Sequence, residues 1–498
     1  MTEENPKVEQ PEQKKDDTPE KKPTPPEPAP VETRHTVAVN GRTLSYTVTT
    51  GRLPLTNEEK GEVEAHVFFV AYTLDRPEGA PLGARPLTFV FNGGPGSSSV
   101  WLHLGAVGPR RVLMQDEGWM PAPPYRLVDN PHTWLDLTDL VFIDPVGTGF
   151  SRAVKPELNQ QYWSLRGDLQ AVGEFIRLYL TRYNRWASPL FLAGESYGTT
   201  RAAGLAGHLV DRGIAFNGIV LISTTLNFQT LEFEQGNDLP YALFLPTYTA
   251  TAWYHRKLPA DLQEKPLRAV LDEVEAWAGS EYLIALARGD RLAESERQAV
   301  IRKLARYTGL EPRYIEGTRL RIEIMRFCKE LLRDEGRTVG RLDSRFRGLD
   351  ALAVTERPEF DPSYTAIVPP YTAMLNDYVR RELGYETDLE YQTLSFKVNA
   401  EWQWDQGKYA DTSEALRGAL ARNPYMKVFV AAGYYDLATP YTATYYTLSH
   451  MNLALEQRAN VQTAEYEAGH MLYLDLKSLA RLKTDVAGFI AGALGGQG

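Results

Sequence analysis

The sequence has almost no cysteine, because Cys328 is the only one among 498 residues. A single cysteine excludes an internal disulfide, as expected for a reducing compartment or for a bacterial exported protein that folds without bridges. Cys328 lies in a helical run, where we expect a small buried side chain. Paired cysteines and a His-Glu-x-x-His motif are also missing, so the sequence predicts no metal site and no cofactor.

An excess of basic residues is missing as well. The chain has 54 Lys and Arg against 64 Asp and Glu, a net charge of -10, and no basic stripe, which argues against a nucleic-acid partner. The longest apolar runs, such as residues 66–74, have the length of a strand and not of a membrane span. No signal peptide is visible, so we expect a cytoplasmic protein, or a periplasmic or secreted one if the natural start lies upstream. The sequence does not indicate an oligomeric state.

Residues 1–33 are built mainly from Glu, Lys, Pro, Gln, Asp and Thr. Such a segment cannot bury enough apolar area to offset the entropy of ordering, so we expect a disordered tail, and a solvated spacer is favoured over a functional one. Order is predicted to begin at Thr36. There Asn40-Gly41 separates two alternating strands and predicts a hairpin with a type I′ turn.

The rest of the chain alternates strands and helices. Strands are predicted at 62–74, 86–92, 139–143, 219–222, 427–433 and 461–466, and helices at 161–182, 199–211 and 475–494. This alternation predicts an α/β fold with a mostly parallel central sheet and helices on both faces. The pattern breaks over 226–398, a helix-rich stretch that we interpret as an insertion capping the carboxyl edge of the sheet. Residues 34–225 and 399–498 then form the two parts of the core.

An apolar run ends abruptly in Gly194-Glu-Ser-Tyr-Gly198 and is followed by a helical pattern. A strand that turns at once into a helix brings the two flanking positions together, where only small residues fit, and holds Ser196 in a strained conformation with its hydroxyl exposed. This is the nucleophile elbow of an α/β-hydrolase. A plain glycine-rich turn is the alternative.

An elbow serine needs a base and an acid later in the chain, in the order Ser, Asp, His. His470 follows the last predicted strand on a loop, whereas His255 precedes any candidate acid and His450 lies inside a helical pattern. Asp436 directly follows the strand at 427–433, and Asp144 has the wrong order. We therefore predict a Ser196, Asp436 and His470 triad, with a helix cap at Tyr441 as the alternative role of Asp436.

The oxyanion hole of such a site needs the backbone N–H after the nucleophile, that of Tyr197, and a second one from an early glycine-rich loop. Residues 91–99, Phe-Asn-Gly-Gly-Pro-Gly-Ser-Ser-Ser, provide such a loop after a strand. A phosphate-binding loop is disfavoured because no Lys-Ser/Thr follows.

Four separated motifs together resemble the serine carboxypeptidases of the cathepsin A and carboxypeptidase Y type: Asn92-Gly-Gly-Pro-Gly96 with Gly108-Pro109, the stretch from Asp144 to Ser151, the elbow, and Gly469-His-Met471. The resemblance covers both parts of the core and skips the insertion. It implies the same triad, with the N–H groups of Gly94 and Tyr197 as the oxyanion hole. It also implies that Asn92, Gly93 and Glu195 bind the carboxylate of the substrate and that Met471 borders the leaving-group side.

Two positions depart from the family pattern. Ser97 replaces a cysteine that is bridged in the family, consistent with a bacterial branch without disulfides. Ala106 replaces a second glutamate whose carboxyl shares a proton with the first, so that Glu195 either is neutral through burial or repels a free C-terminus. Our hypothesis is that Arg110 or Arg111 compensates for the loss, and the alternative is that both are surface residues.

The sequence therefore predicts a serine peptidase that releases C-terminal residues from peptides through an acyl-enzyme on Ser196. An esterase or acyltransferase on the same fold, and a non-catalytic binding protein, are the alternatives. The side-chain preference is not predicted, because the insertion that shapes the pocket is the part least like the family.

Overall fold

The computed structural model describes residues 29–57, 59–76, 79, 81, 83 and 85–495. Most of the tail predicted at 1–33 lies outside the described residues. Strand β1 (Val31–Val39) begins at Val31, so regular structure starts earlier than the predicted Thr36. β1 pairs antiparallel with β2 (Arg42–Thr56), and both Asn40 and Gly41 between them have positive φ. The predicted hairpin is thereby confirmed.

Twelve further strands follow in chain order in the described part of the chain: β3 (Val63–Leu74), β4 (Leu87–Phe91), β5 (Arg110–Val112), β6 (Leu127–Asp129), β7 (Asp139–Ile143), β8 (Arg152–Ala153), β9 (Leu190–Ser196), β10 (Gly218–Thr224), β11 (Arg337–Val339), β12 (Arg347–Leu349), β13 (Lys427–Gly433) and β14 (Val461–Tyr466). Every core strand predicted from the sequence is present, and three of them, β7, β13 and β14, have the predicted bounds. The buried apolar runs of β4, β7, β9, β10 and β13 are typical of a sheet that is covered on both faces.

The central sheet has the strand order β1-β2-β3-β7-β4-β9-β10-β13-β14, with β8 paired to β3. In this order, neighbouring strands pair antiparallel from β1 to β7 and parallel from β7 through β4, β9, β10 and β13 to β14. The predicted mostly parallel sheet is confirmed. Parallel strands have their carboxyl ends at the same edge of a sheet. The loops that follow β4, β9, β13 and β14 therefore lie together at the carboxyl edge of the central sheet.

The longer helices are α1 (Leu165–Arg182), α2 (Tyr197–Val210), α3 (Leu239–Tyr254), α4 (Leu267–Trp277), α5 (Glu294–Thr308), α6 (Ile324–Glu330), α7 (Pro362–Asp377), α8 (Ser413–Arg422), α9 (Tyr441–Ser449) and α10 (Leu476–Ala493). α1, α2 and α8 cover one face of the sheet, and α7 and α10 pack against the other. Side chains fix where these helices begin: Ser164 accepts from the N–H of Gly167, and Asp475 from that of Ser478.

The stretch predicted as one insertion, 226–398, contributes most of its buried apolar residues to two hydrophobic clusters and a few to two others. Helices α3 to α6 form a cluster of their own around Phe244, Val270 and Phe327, which also buries Cys328 as predicted. α7 instead packs Ile367 and Tyr371 into the core on one face of the sheet. The part of the stretch that contains α7 therefore packs against the core, and its loops reach the carboxyl edge of the sheet.

Candidate active site

Ser196 ends β9 and immediately precedes α2, and its backbone has φ 62. Positive φ is strained for a residue with a side chain and is sustained only by surrounding packing. A Cβ atom on Gly194 would lie 2.2 Å from the carbonyl oxygen of Gly198, so the turn tolerates no side chain there. The structure thus confirms the small-residue requirement that identified the elbow.

A cavity of about 410 Å³ opens at the carboxyl edge of the sheet. Eight of the nine site residues predicted from the sequence line it: Asn92, Gly93, Gly94, Glu195, Ser196, Tyr197, His470 and Met471. They come from the loops after β4, β9 and β14, which are far apart along the chain.

The ninth predicted residue, Asp436, lies behind His470. Its Oδ2 is 2.7 Å from Nδ1 of His470 and also accepts the hydroxyl proton of Thr439 at 2.7 Å. Its Oδ1 accepts the backbone N–H groups of Ala438 and Thr439. Helix α9 begins only at Tyr441 and receives no side-chain cap, so the alternative role of Asp436 as its cap is wrong.

The electrostatics of His470 suit a proton acceptor. Burial lowers the pKa of His470, but the charge of Asp436 and its hydrogen bond outweigh burial and hold the pKa above its ordinary value. Because Nδ1 faces Asp436, Nε2 is the ring nitrogen left for the cavity. The rejected candidates are engaged elsewhere: His255 Nε2 contacts the carbonyl oxygen of Ser344, and His450 Nδ1 that of Tyr446.

Glu195 is a buried carboxyl in the cavity wall. The side-chain amide of Asn92 donates a hydrogen bond to its Oε1 at 2.9 Å. Burial raises the pKa of Glu195 to about 7, although the positive charge of His470 and the Tyr473 phenol act in the opposite direction. The carboxyl is therefore poised to be neutral near neutral pH through burial, which is one of the two outcomes expected from the sequence.

The hypothesis that Arg110 or Arg111 compensates for Ala106 is wrong. Arg110 forms ion pairs with Asp129 (2.6 Å) and Glu382 (3.1 Å), and neither arginine lines the cavity. Arg111 interacts with the phenol of Tyr371.

Aromatic side chains fill the space near Ala106. A Cβ atom on the preceding residue, Gly105, would lie 2.5 Å from the ring of Tyr473 and 2.8 Å from the hydroxyl of Tyr371. Ala106 itself is fully buried. Tyr473, from the loop after His470, thus lies against the residue that precedes Ala106, and it also interacts with Glu195.

A buried ion pair supports the floor of the cavity. Arg201 Nε donates to Asp168 Oδ2 at 2.8 Å, and its Nη1 donates to the carbonyl oxygen of Asn92 at 2.6 Å. The hydroxyl of Tyr197 donates to the same Asp168 oxygen at 3.2 Å. These contacts tie α1 and α2 to the loop after β4, and the sequence pattern gave no sign of them.

The insertion supplies the outer wall of the cavity. Its contributions were not predicted: Phe228, Leu231, Met325, Arg341, Leu342, Asp361, Tyr364, Ile367, Leu394 and Phe396. Trp402 and Trp404, which follow the insertion, pack edge-on against the ring of Tyr197 at 5.3 and 6.3 Å. No local signal distinguishes these residues from ordinary core residues, because the path of the insertion over the sheet decides which of them face the cavity.

Among the residues that the structure describes, no group of three His, Cys, Asp or Glu side chains could bind a metal ion, and no helix has the length and apolar character needed to cross a bilayer.

The parallel sheet, the elbow at Ser196 and the His470–Asp436 pair at the same edge define an α/β-hydrolase. A family model described as serine carboxypeptidase matches residues 49–490, so the chain belongs to the serine carboxypeptidase family.

Individual relatives and a solved structure agree with this assignment. The chain is 30% identical over 189 residues to a probable serine carboxypeptidase from Arthroderma benhamiae, covering 34% of this chain and 33% of the relative. It is 34% identical over 151 residues to serine-type carboxypeptidase F from Aspergillus niger, covering 28% and 23%. The matched segments thus span a third or less of these curated relatives. The crystal structure of Kex1, a prohormone-processing carboxypeptidase from Saccharomyces cerevisiae, shares the fold with a TM-score of 0.56 at 16% identity, covering 90% and 91%.

Proposed function

We propose that the protein is a serine carboxypeptidase that releases C-terminal residues from peptides through an acyl-enzyme on Ser196. The observation that carries the proposal is the single cavity that holds Ser196, His470 and the Asn92–Glu195 pair together. A nucleophile and its base perform acyl transfer, and a carboxyl group poised to be neutral receives the carboxylate at the end of a peptide.

In the proposed reaction, Nε2 of His470 takes the proton of the Ser196 hydroxyl as Oγ attacks the carbonyl carbon of the last peptide bond. Asp436 holds His470 in the required tautomer and stabilises its imidazolium form. His470 then gives the proton to the leaving amine. A water molecule, deprotonated by His470, releases the acyl group and restores Ser196.

The oxyanion of the tetrahedral intermediate would accept hydrogen bonds from the backbone N–H groups of Gly94 and Tyr197. Tyr197 is the first residue of α2, where N–H groups have no acceptor within the helix. A Cβ atom on Gly93 would lie 2.4 Å from the nitrogen of Tyr197, so the loop after β4 approaches this N–H closely. Each such donor typically contributes about 3 kcal/mol of transition-state stabilisation.

The test compares one peptide as the free acid and as the C-terminal amide, with products identified by mass spectrometry. A serine carboxypeptidase cleaves the free acid faster and releases single C-terminal residues. Equal rates on both peptides, or hydrolysis of simple esters alone, would support the esterase alternative instead. A fluorophosphonate probe should label the wild type at Ser196, and the Ser196→Ala variant should lose labelling together with about six orders of magnitude in turnover. An unlabelled wild type would support a non-catalytic protein.

A further inference from the structure

Residues 340–345, here called the bridging segment, lie between β11 and β12 in the insertion. Two of them, Arg341 and Leu342, line the cavity. The carbonyl oxygen of Arg341 accepts the N–H of Leu437 at 3.1 Å, and that of Leu342 accepts the N–H of His470 at 2.6 Å. The N–H of Ser344 donates to the carbonyl oxygen of Tyr435 at 3.0 Å. The bridging segment is therefore held by the two loops that carry Asp436 and His470.

Arg341 is placed by this segment at the cavity, where its side chain is exposed and forms part of the lining. The positive charge of Arg341 lowers the pKa of His470, whereas Asp436 raises it more strongly. Within the described residues, no acidic group lies within ion-pair distance of the Arg341 guanidinium, although Glu232 interacts with it at longer range. Arg341 is thus a cation beside the reacting groups with its charge not neutralised by a direct partner.

The other acidic residue on this side of the cavity is already occupied. Asp361 caps α7 by accepting the N–H groups of Ser363 and Tyr364 and the hydroxyl of Ser363. It also accepts the N–H groups of Arg341 and Leu342. Four of these five donors contact Oδ1 and the N–H of Leu342 contacts Oδ2, so Asp361 binds mainly the backbone around it and forms no ion pair with the guanidinium.

On the basis of the proposed function, we propose that Arg341 is a specificity-determining residue that selects peptides with an acidic side chain next to the scissile bond. The Arg341 guanidinium presents several donors in a planar fork that matches a carboxylate. Because the side chain is exposed, an ion pair of this kind typically gives a preference of roughly 2- to 5-fold. The insertion thereby supplies the specificity that the core motifs leave open.

The test measures kcat/KM for peptide pairs that differ only in Glu against Gln, placed at the terminal or the penultimate position. Glu and Gln have the same shape, so their ratio isolates the charge. The wild type should prefer Glu by roughly 2- to 5-fold at one of the two positions. Arg341→Ala should reduce this ratio to near one, and Arg341→Glu should make a Lys peptide better than its Gln counterpart. Arg347→Ala is the matched control, because Arg347 is exposed on β12 and does not line the cavity.

Two results would overturn the assignment of Arg341: equal rates for Glu and Gln peptides in the wild type, or a preference that survives in Arg341→Ala. Failure of the carboxypeptidase activity itself would be visible separately, as absence of hydrolysis of every peptide. In that case the readout is binding of the same peptides, measured by isothermal titration calorimetry. Glu peptides should then bind with a lower Kd than Gln peptides in the wild type but not in Arg341→Ala, and equal Kd values for the two peptides in the wild type would refute the role of Arg341.

Discussion

The side-chain oxygen of Asn92 accepts the backbone N–H of Leu102 at 3.0 Å, which directs the Asn92 amide nitrogen toward Glu195. An amide nitrogen only donates, so Oε1 of Glu195 is an acceptor and a proton on this carboxyl belongs on Oε2. Oε2 is buried, and no described residue forms a hydrogen bond of standard geometry with it. A neutral Glu195 therefore has one O–H group that has no acceptor of standard geometry among the described residues.

This arrangement predicts a pH dependence that differs between substrates. Glu195 donates only while protonated, and its pKa is about 7, so kcat/KM for a free-acid peptide should fall as the pH rises through this range. For the matching C-terminal amide the fall should be absent, because no carboxylate has to be accepted. Both profiles should share a rising limb, since His470 must lose its proton to act as a base and its pKa lies above the ordinary value.

Because Glu195 and His470 interact, the apparent pKa values of the profiles belong to the pair and not to either residue. The comparison of the free-acid peptide with the amide shows which limb is due to Glu195. Glu195→Gln is the check on this assignment. The variant keeps an N–H donor at all pH values and should lose the falling limb. A falling limb of equal size for the amide peptide would contradict the role of Glu195.

A second prediction concerns Tyr473, whose buried hydroxyl makes no hydrogen bond of standard geometry with the described residues yet lies close enough to lower the pKa of Glu195. Tyr473→Phe removes only the hydroxyl and should raise the pKa of Glu195. The falling limb of the free-acid profile should therefore move to higher pH, with the amide profile unchanged. Tyr371→Phe is the matched control, because Tyr371 interacts with Glu195 only through space. A loss of activity without a shift of the limb would indicate a packing role for Tyr473.

A third prediction separates Asp436 from the residues that merely pack around it. Asp436→Asn keeps the shape of the side chain but leaves Nδ1 of His470 without its anionic partner, and should lower kcat by about 10⁴-fold. The folded state should be retained, as measured by circular dichroism and thermal unfolding. Asp144→Asn is the comparison, since Asp144 is also a buried carboxyl after a core strand but bonds to Ser99. A similar loss of kcat in both variants would argue against a special role for Asp436.

A fourth prediction concerns the stability of the cavity floor. Arg201→Met would leave Asp168 as a buried charge without its partner, because both side chains are almost fully buried. The free energy of unfolding should fall by about 3–5 kcal/mol, measured by denaturant titration. Arg422→Met breaks the exposed pair with Asp211 and should change the free energy of unfolding by less than about 1 kcal/mol. Equal losses in the two variants would show that burial is not the deciding factor.

The sequence predicted the core of the molecule well because the relevant signals are local. β7 and β13 are runs of mainly buried residues with clear ends, and Gly194 and Gly198 mark a turn that admits no side chain. The order of partners along the chain then selected His470 and Asp436 from several candidates. These residues follow core strands directly, so the topology of the sheet brings them together.

The parts that escaped prediction depend on long-range packing. Proximity in sequence to Gly108-Pro109 suggested that Arg110 faces the site, but β5 pairs with β6 in a register that sets Arg110 opposite Asp129. Tyr473 and Arg341 carry no motif, and their positions follow from how the loop after β14 and the insertion cross the edge of the sheet.

The bridging segment has a consequence for protein engineering. Because a main-chain oxygen of the insertion accepts the N–H of His470, exchanging the whole insertion for that of a homologue would remove a support of the catalytic base along with the old pocket. Chimeras that aim at new selectivity should retain residues 340–345 and graft only the helices on either side.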